Sequence, residues 1–71
     1  MEINYDKTAD ALYIELRKGE FAENKKIDDF TIMDLDKDGN VLGIEFLEAS
    51  KRIPQESLSQ VNVKNLLEVA A

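Results

Sequence analysis

The stretch Asp34-Leu35-Asp36-Lys37-Asp38-Gly39-Asn40-Val41-Leu42-Gly43-Ile44-Glu45 constrains this chain more than any other, because its letters fit two incompatible structures. It satisfies the calcium-loop pattern D-x-D-x-D-G-x5-E, which makes Asp34, Asp36, Asp38 and Glu45 candidate calcium ligands. A calcium loop joins two amphipathic helices, however. Here the flanks are Phe30-Thr31-Ile32-Met33 and Phe46-Leu47, which favour strands. The loop position ahead of Gly43, usually polar, is Leu42. The same letters also describe a tight β-hairpin, since Asp36, Asp38 and Gly39 are turn formers. The hairpin is the reading adopted, with no metal, no cofactor and no catalytic residue assigned.

A turn Lys37-Asp38-Gly39 suits a type I turn followed by a left-handed glycine. That loop length pairs Phe30 with Phe46 and Ile32 with Ile44 on one face, and Leu35 with Val41 and Met33 with Gly43 on the other. Asp34 and Asp36 then face away from Glu45 and cannot share an ion. A two-residue Asp38-Gly39 turn is the alternative, and it sets Ile32 opposite Glu45 and Phe30 opposite Leu47. The first register sorts like with like better and is preferred. It gives Gly43 the task of relieving crowding across from Met33.

Upstream, Glu2 to Tyr5 and Ala11 to Leu16 alternate as two strands, joined by Asp6-Lys7-Thr8-Ala9-Asp10. Asp6 and Asp10 are the turn-fixing residues there. Phe21 to Asn24 reads equally as a short edge segment or a loop. Lys26 to Asp36 and Val41 to Leu47 read as the third and fourth strands. After Ser50 the chain leaves the sheet. Pro54 to Ser59 suits a short helix with proline in its first turn. Asn62 suits the cap of a second helix, with Val63, Leu66, Leu67 and Ala70 as its apolar stripe.

The expected fold is therefore α+β: a small antiparallel β-meander of about four strands (two hairpins) followed by one or two short C-terminal helices. We expect one domain over residues 1–71, with the sheet in 1–49 and a helical tail in 54–71. A chain of 71 residues buries only about 60% of its unfolded surface, and this one has no cysteine or histidine with which to add a disulfide or the commonest metal site. The third and fourth strands carry apolar groups on both faces in the preferred register, and a terminal helix covers one. The uncovered face, with Tyr13, Met33, Leu35 and Val41 as interface candidates, implies a homodimer.

Fifteen acidic against nine basic residues give a net charge of −6. Such a surface disfavours nucleic acid, and Lys18, Lys25, Lys26, Lys51 and Arg52 are too scattered to offset it. It favours encounter with a basic protein. No apolar run approaches the roughly 20 residues of a membrane span, and the opening residues lack a signal-peptide pattern. We expect no membrane partner and a cytoplasmic location. Carboxylate chemistry is the enzymatic alternative, with Asp6, Asp10, Glu15, Asp34 and Glu45 as its pool. No histidine, cysteine or glycine-rich phosphate loop accompanies them, so the chain reads as not an enzyme.

Tyr5-Asp6-x-x-x-Asp10-Ala11-Leu12-Tyr13-Ile14, then the Asp34 to Glu45 stretch, then Ala49-Ser50, resembles the domain-of-unknown-function family 2283 (DUF2283), small prokaryotic proteins, over about residues 2 to 53. No activity is established for that family. The resemblance implies an antitoxin-type role opposite a basic, toxin-like protein as one direction, and it carries over no catalytic residue. The expected function is thus a non-enzymatic, small acidic protein-interaction module.

Overall fold

The computed structural model describes residues 1–64. They form β1 (Glu2–Asp6), β2 (Ala11–Glu15), β3 (Glu23–Asp28), β4 (Thr31–Leu35), β5 (Val41–Phe46), α1 (Ala49–Arg52) and α2 (Gln55–Leu58). The strands make one antiparallel sheet in the order β1-β2-β5-β4-β3. The α+β class with an antiparallel sheet and short helices after it is as expected, but the sheet is not the expected meander, because β2 pairs with β5 and the β4–β5 hairpin places β3 at the far edge. The strand count differs, because the segment read as one strand from Lys26 to Asp36 is two. Asp28 turns its carboxylate back onto the Phe30 N–H at 2.9 Å, and Asp28 pairs with Thr31 across the two-residue turn Asp29-Phe30. Two adjacent aspartates in a strand-like run were the turn signal. The segment left open at Phe21 to Asn24 opens β3 at Glu23.

The hairpin of β4 and β5 begins as the turn chemistry predicts. The Gly39 N–H bonds the Asp36 carbonyl at 3.1 Å, Gly39 sits at φ 83°, and Leu35 pairs with Val41. Beyond that pair the preferred register fails. Asp34 pairs with Gly43, Met33 with Ile44, Ile32 with Glu45 and Thr31 with Phe46, so Leu42 is an extra residue on β5. This is a β-bulge. The Leu42 carbonyl accepts the N–H groups of both Leu16 (2.8 Å) and Arg17 (3.2 Å), which holds the bulge from the β2 side. A bulge displaces every residue past it by one, so most of the ladder follows the register that was set aside.

That displacement re-sorts the two faces. Directly paired residues share a face. One face carries Ile3, Tyr5, Leu12, Ile14, Ile44, Phe46, Thr31, Met33, Leu35 and Val41, with Glu23 and Lys25 of β3 at its margin. The other carries Glu2, Asn4, Tyr13, Glu15, Glu45, Ile32, Asp34 and Gly43. The sheet is therefore one-sided, and the expectation of two apolar faces is corrected. Of the four interface candidates, Met33, Leu35 and Val41 share the apolar face, but Tyr13 lies on the polar one. Asp34 and Glu45, expected on opposite faces, share the polar face, and Gly43 lies across from Asp34 rather than Met33.

The core is thin. Among the described residues only Leu35, Leu42 and Ala49 are buried hydrophobics, and no large side chain is fully buried. α1 is a helix that the sequence did not signal. It is tied to the sheet by the Arg52 guanidinium, which donates to the Phe30 carbonyl at 2.8 Å and stacks 5.2 Å from the centre of the Phe46 ring. α2 falls within the predicted Pro54 to Ser59. Asn62 to Lys64 are not helical, and the remainder of the predicted second helix lies outside the described residues. Among the described residues no helix is long and apolar enough to cross a membrane.

Candidate functional site

The aspartates of the sequence motifs divide into those committed to backbone geometry and those on an open face. Asp6 accepts the N–H groups of Thr8 (2.9 Å) and Ala9 (3.1 Å), which fixes the first turn. Asp36 accepts those of Asp38 and Asn40, both at 2.9 Å, and the Asn40 side-chain amide at 3.0 Å. These bonds, chiefly that of the Asn40 side chain, hold the Asp36 carboxyl below the ordinary aspartate range. Strands flank this turn on both sides. Among the described residues no group of three or more His, Cys, Asp or Glu side chains is placed to hold a metal ion.

Asp10 is the node that joins the first hairpin to α1. It sits at φ 52°, and its carboxylate accepts the Tyr5 hydroxyl (2.7 Å), the Ser50 N–H (3.0 Å) and the Ser50 hydroxyl (2.7 Å). The Asp10 carbonyl takes the Ala49 N–H at 2.9 Å. The Tyr5 hydroxyl first, and Ser50 after it, keep the Asp10 carboxyl below its ordinary value, while the same bond raises the Tyr5 phenol. A carboxyl depressed in the folded state contributes stability that is complete above the unfolded value and lost as pH falls through the folded one. Asp36 and Asp28 act in the same direction. We therefore expect melting temperature to fall on the acid side, below the ordinary aspartate value. Asp10→Asn should lower the melting temperature at neutral pH, flatten that acid limb and return the Tyr5 phenol toward its usual value. Thermal melts across pH and ultraviolet titration of the phenols check this, and an unchanged Tyr5 titration would refute it.

On the polar face the Tyr13 hydroxyl donates to Asp34 at 3.1 Å. Burial, and then that bond, raise the Tyr13 phenol above its usual value. The ring lies across Gly43, where a Cβ would overlap the phenol. A cavity of about 340 Å³ opens beside it, lined by Tyr13, Glu15, Arg17, Lys18, Gly19, Phe21, Asp34 and Leu42. The connection between β2 and β3 closes over Leu42 here, so tightly that a Cβ on Gly19 would stand 2.6 Å from Leu42 Cδ2. The family model described as Protein of unknown function (DUF2283) matches residues 2–50. The chain belongs to the DUF2283 family. No curated protein and no solved structure matches it. Of the motif residues, Asp6, Asp10 and Gly39 lie in turns, Tyr13, Gly43 and Glu45 on the polar face, and Ser50 on the Asp10 carboxylate.

The structure brings Asp34, Glu45, Glu15 and Tyr13 onto one face and leaves Asp6, Asp10, Asp36 and Asp38 at the sheet's ends. Sequence reasoning gave Tyr5, Asn40 and Ser50 no role as carboxylate partners. The signal was available for Asn40, four residues past Asp36 within one turn. For Tyr5 and Ser50 it was not, since the second of these contacts spans 40 positions.

Proposed function

We propose that this chain is a non-enzymatic protein-interaction module that works as a homodimer, with the apolar face of the sheet as the surface of contact. One observation carries the reading. The face made by Ile3, Leu12, Ile14, Met33, Ile44 and Phe46 is apolar across four strands, with Glu23 and Lys25 at its β3 margin, yet none of these six side chains is fully buried among the described residues. Four strands spaced about 4.8 Å apart make this apolar area about 19 Å wide, whereas a helix covers about 10 Å of it. The α-helices among the described residues are four residues each. An apolar face that is only half-covered on a small domain marks an interaction surface, and a second copy brings a face of the same width. The committed turn carboxylates Asp6, Asp10 and Asp36 support the non-enzymatic part of the reading, because each already accepts several hydrogen bonds.

Sedimentation equilibrium tests the assembly. A dimer at micromolar concentration is expected, with a melting temperature that rises with protein concentration as mass action requires. A monomer whose melting temperature is the same at all concentrations refutes it. A second reading, antitoxin-like binding of a basic protein, is favoured by the net charge of −6 and by Glu2, Glu15, Asp34 and Glu45 sharing the polar face.

A further inference from the structure

The sheet is open, and its two edges are built differently. β3 is exposed along its whole length and carries Lys25 and Lys26, the latter paired with Asp29 at 3.6 Å. Its ladder is broken by a bulge between Lys26 and Asp28. Lysines and bulges are the devices by which an edge strand resists addition of another strand. β1 has neither. It keeps unbroken register with β2 from Glu2 opposite Glu15 to Asp6 opposite Ala11, and contains no lysine and no proline. Alternate N–H and C=O groups along its outer side have no strand to pair with among the described residues.

The side chains along β1 say what kind of strand would fit. On the polar face Glu2 stands directly opposite Glu15, a like-charge pair that weakens the sheet. Lys18 reaches Glu15 at 3.5 Å, while no ion pair to Glu2 is present among the described residues. A cation carried on a third strand beside β1 would offset that repulsion. On the apolar face Ile3 is 38% exposed. Next to Tyr5 a cavity of about 470 Å³, lined by Tyr5, Lys7, Gln55 and Leu58 among others, has room for an apolar side chain. A second copy of β1 is a poor occupant. Antiparallel overlap over all five residues sets Glu2 of one copy against Asp6 of the other, and each copy carries −6.

We propose that the outer edge of β1 is a strand-addition site for an extended segment of a cationic partner protein. The segment would alternate cationic side chains beside Glu2 and Asn4 with apolar ones beside Ile3 and Tyr5. Backbone pairing supplies the affinity in this mode, and the alternate side chains supply the selectivity. The backbone edge of β1 stays open when the apolar face is covered, and only Ile3 and the cavity beside Tyr5 stand at the rim of that face.

The probe is a synthetic hexapeptide of alternating lysine and valine, capped at both ends, titrated into the full-length protein. Its binding is followed by amide chemical shifts and hydrogen exchange. Slowed exchange of the outward amides of β1 is expected, with none on β3. Glu2→Lys should weaken binding about tenfold, while Lys26→Glu should not. The same peptide N-methylated at alternate residues, which keeps its charge and removes strand hydrogen bonds, should lose binding by a similar factor or more. Any of four results overturns the proposal: no binding up to millimolar peptide, equal binding of the N-methylated peptide, protection on β3 instead of β1, or protection of β1 that rises with protein concentration alone. A dimer constant unchanged by Glu2→Lys, and peptide binding retained in an Ile44→Glu monomer, separate this site from the dimer face.

Discussion

Gly43→Ala should remove about half of this protein's stability, and Gly43→Val should remove more. The usual gain from replacing glycine with alanine is about 0.4–1 kcal/mol, through a less flexible unfolded chain. Here the new methyl meets the Tyr13 ring and stands 2.9 Å from the Ile14 carbonyl oxygen, which is backbone and cannot swing aside. Overpacking costs about 1–3 kcal/mol. Moving Tyr13 away also gives up its hydrogen bond to Asp34, a further ~1 kcal/mol. The losses exceed the gain by roughly 2 kcal/mol, against a total of about 3–5 kcal/mol for a domain this small. Urea titration measures the difference. A double-mutant cycle separates the causes, because in a Tyr13→Ala background the share due to the phenol should vanish while the share set by the Ile14 carbonyl remains. Equal penalties in both backgrounds would show that the phenol is not what Gly43 accommodates.

Gly43 also shows where the sequence was legible and where it was not. Its smallness was evident, but the neighbour it accommodates was misread, because the register between β4 and β5 depends on a bulge that no residue of the turn announces. The turn from Asp36 to Asn40 folds as Asp38-Gly39 chemistry requires, and Leu35 meets Val41 as that turn dictates. One residue later Leu42 is left over. What retains the bulge is distant in sequence: the N–H groups of Leu16 and Arg17 on its carbonyl, and the connection around Gly19 above its side chain. Local propensity carries no trace of these contacts. The turn at Asp29-Phe30 is a different kind of miss. Asp28 and Asp29 carry the turn signal inside a run that reads as strand, and the apolar Ile27 and Phe30 beside them are 55% and 44% exposed in the fold. The consequence for the candidate surface is large. In the expected register Met33, Leu35, Val41 and Tyr13 formed a second apolar face, whereas the bulge collects the apolar groups on one side and leaves Tyr13 with the carboxylates.

This single apolar face gives the second large effect. Ile44→Glu should dissociate the proposed dimer, and Ile32→Glu should leave it intact. The two isoleucines are fair controls for each other: both are half-buried, and they sit on neighbouring strands. Ile44 lies between Ile14 and Met33 at the middle of the apolar face, whereas Ile32 pairs with Glu45 and Lys26 on the polar one. Burying one isoleucine contributes about 1.5–3 kcal/mol, and a two-fold interface loses that contribution twice. The dimer constant should therefore weaken by about 3 kcal/mol or more, a factor on the order of a hundred. Sedimentation equilibrium reads that constant directly, without confusing it with the stability of the fold. Should Ile44→Glu fail to fold, Ile44→Thr keeps the β-branched shape and still removes apolar contact. If Ile32→Glu splits the dimer while the Ile44 variants do not, the copies meet through the polar face, and the apolar side of this sheet serves some other contact.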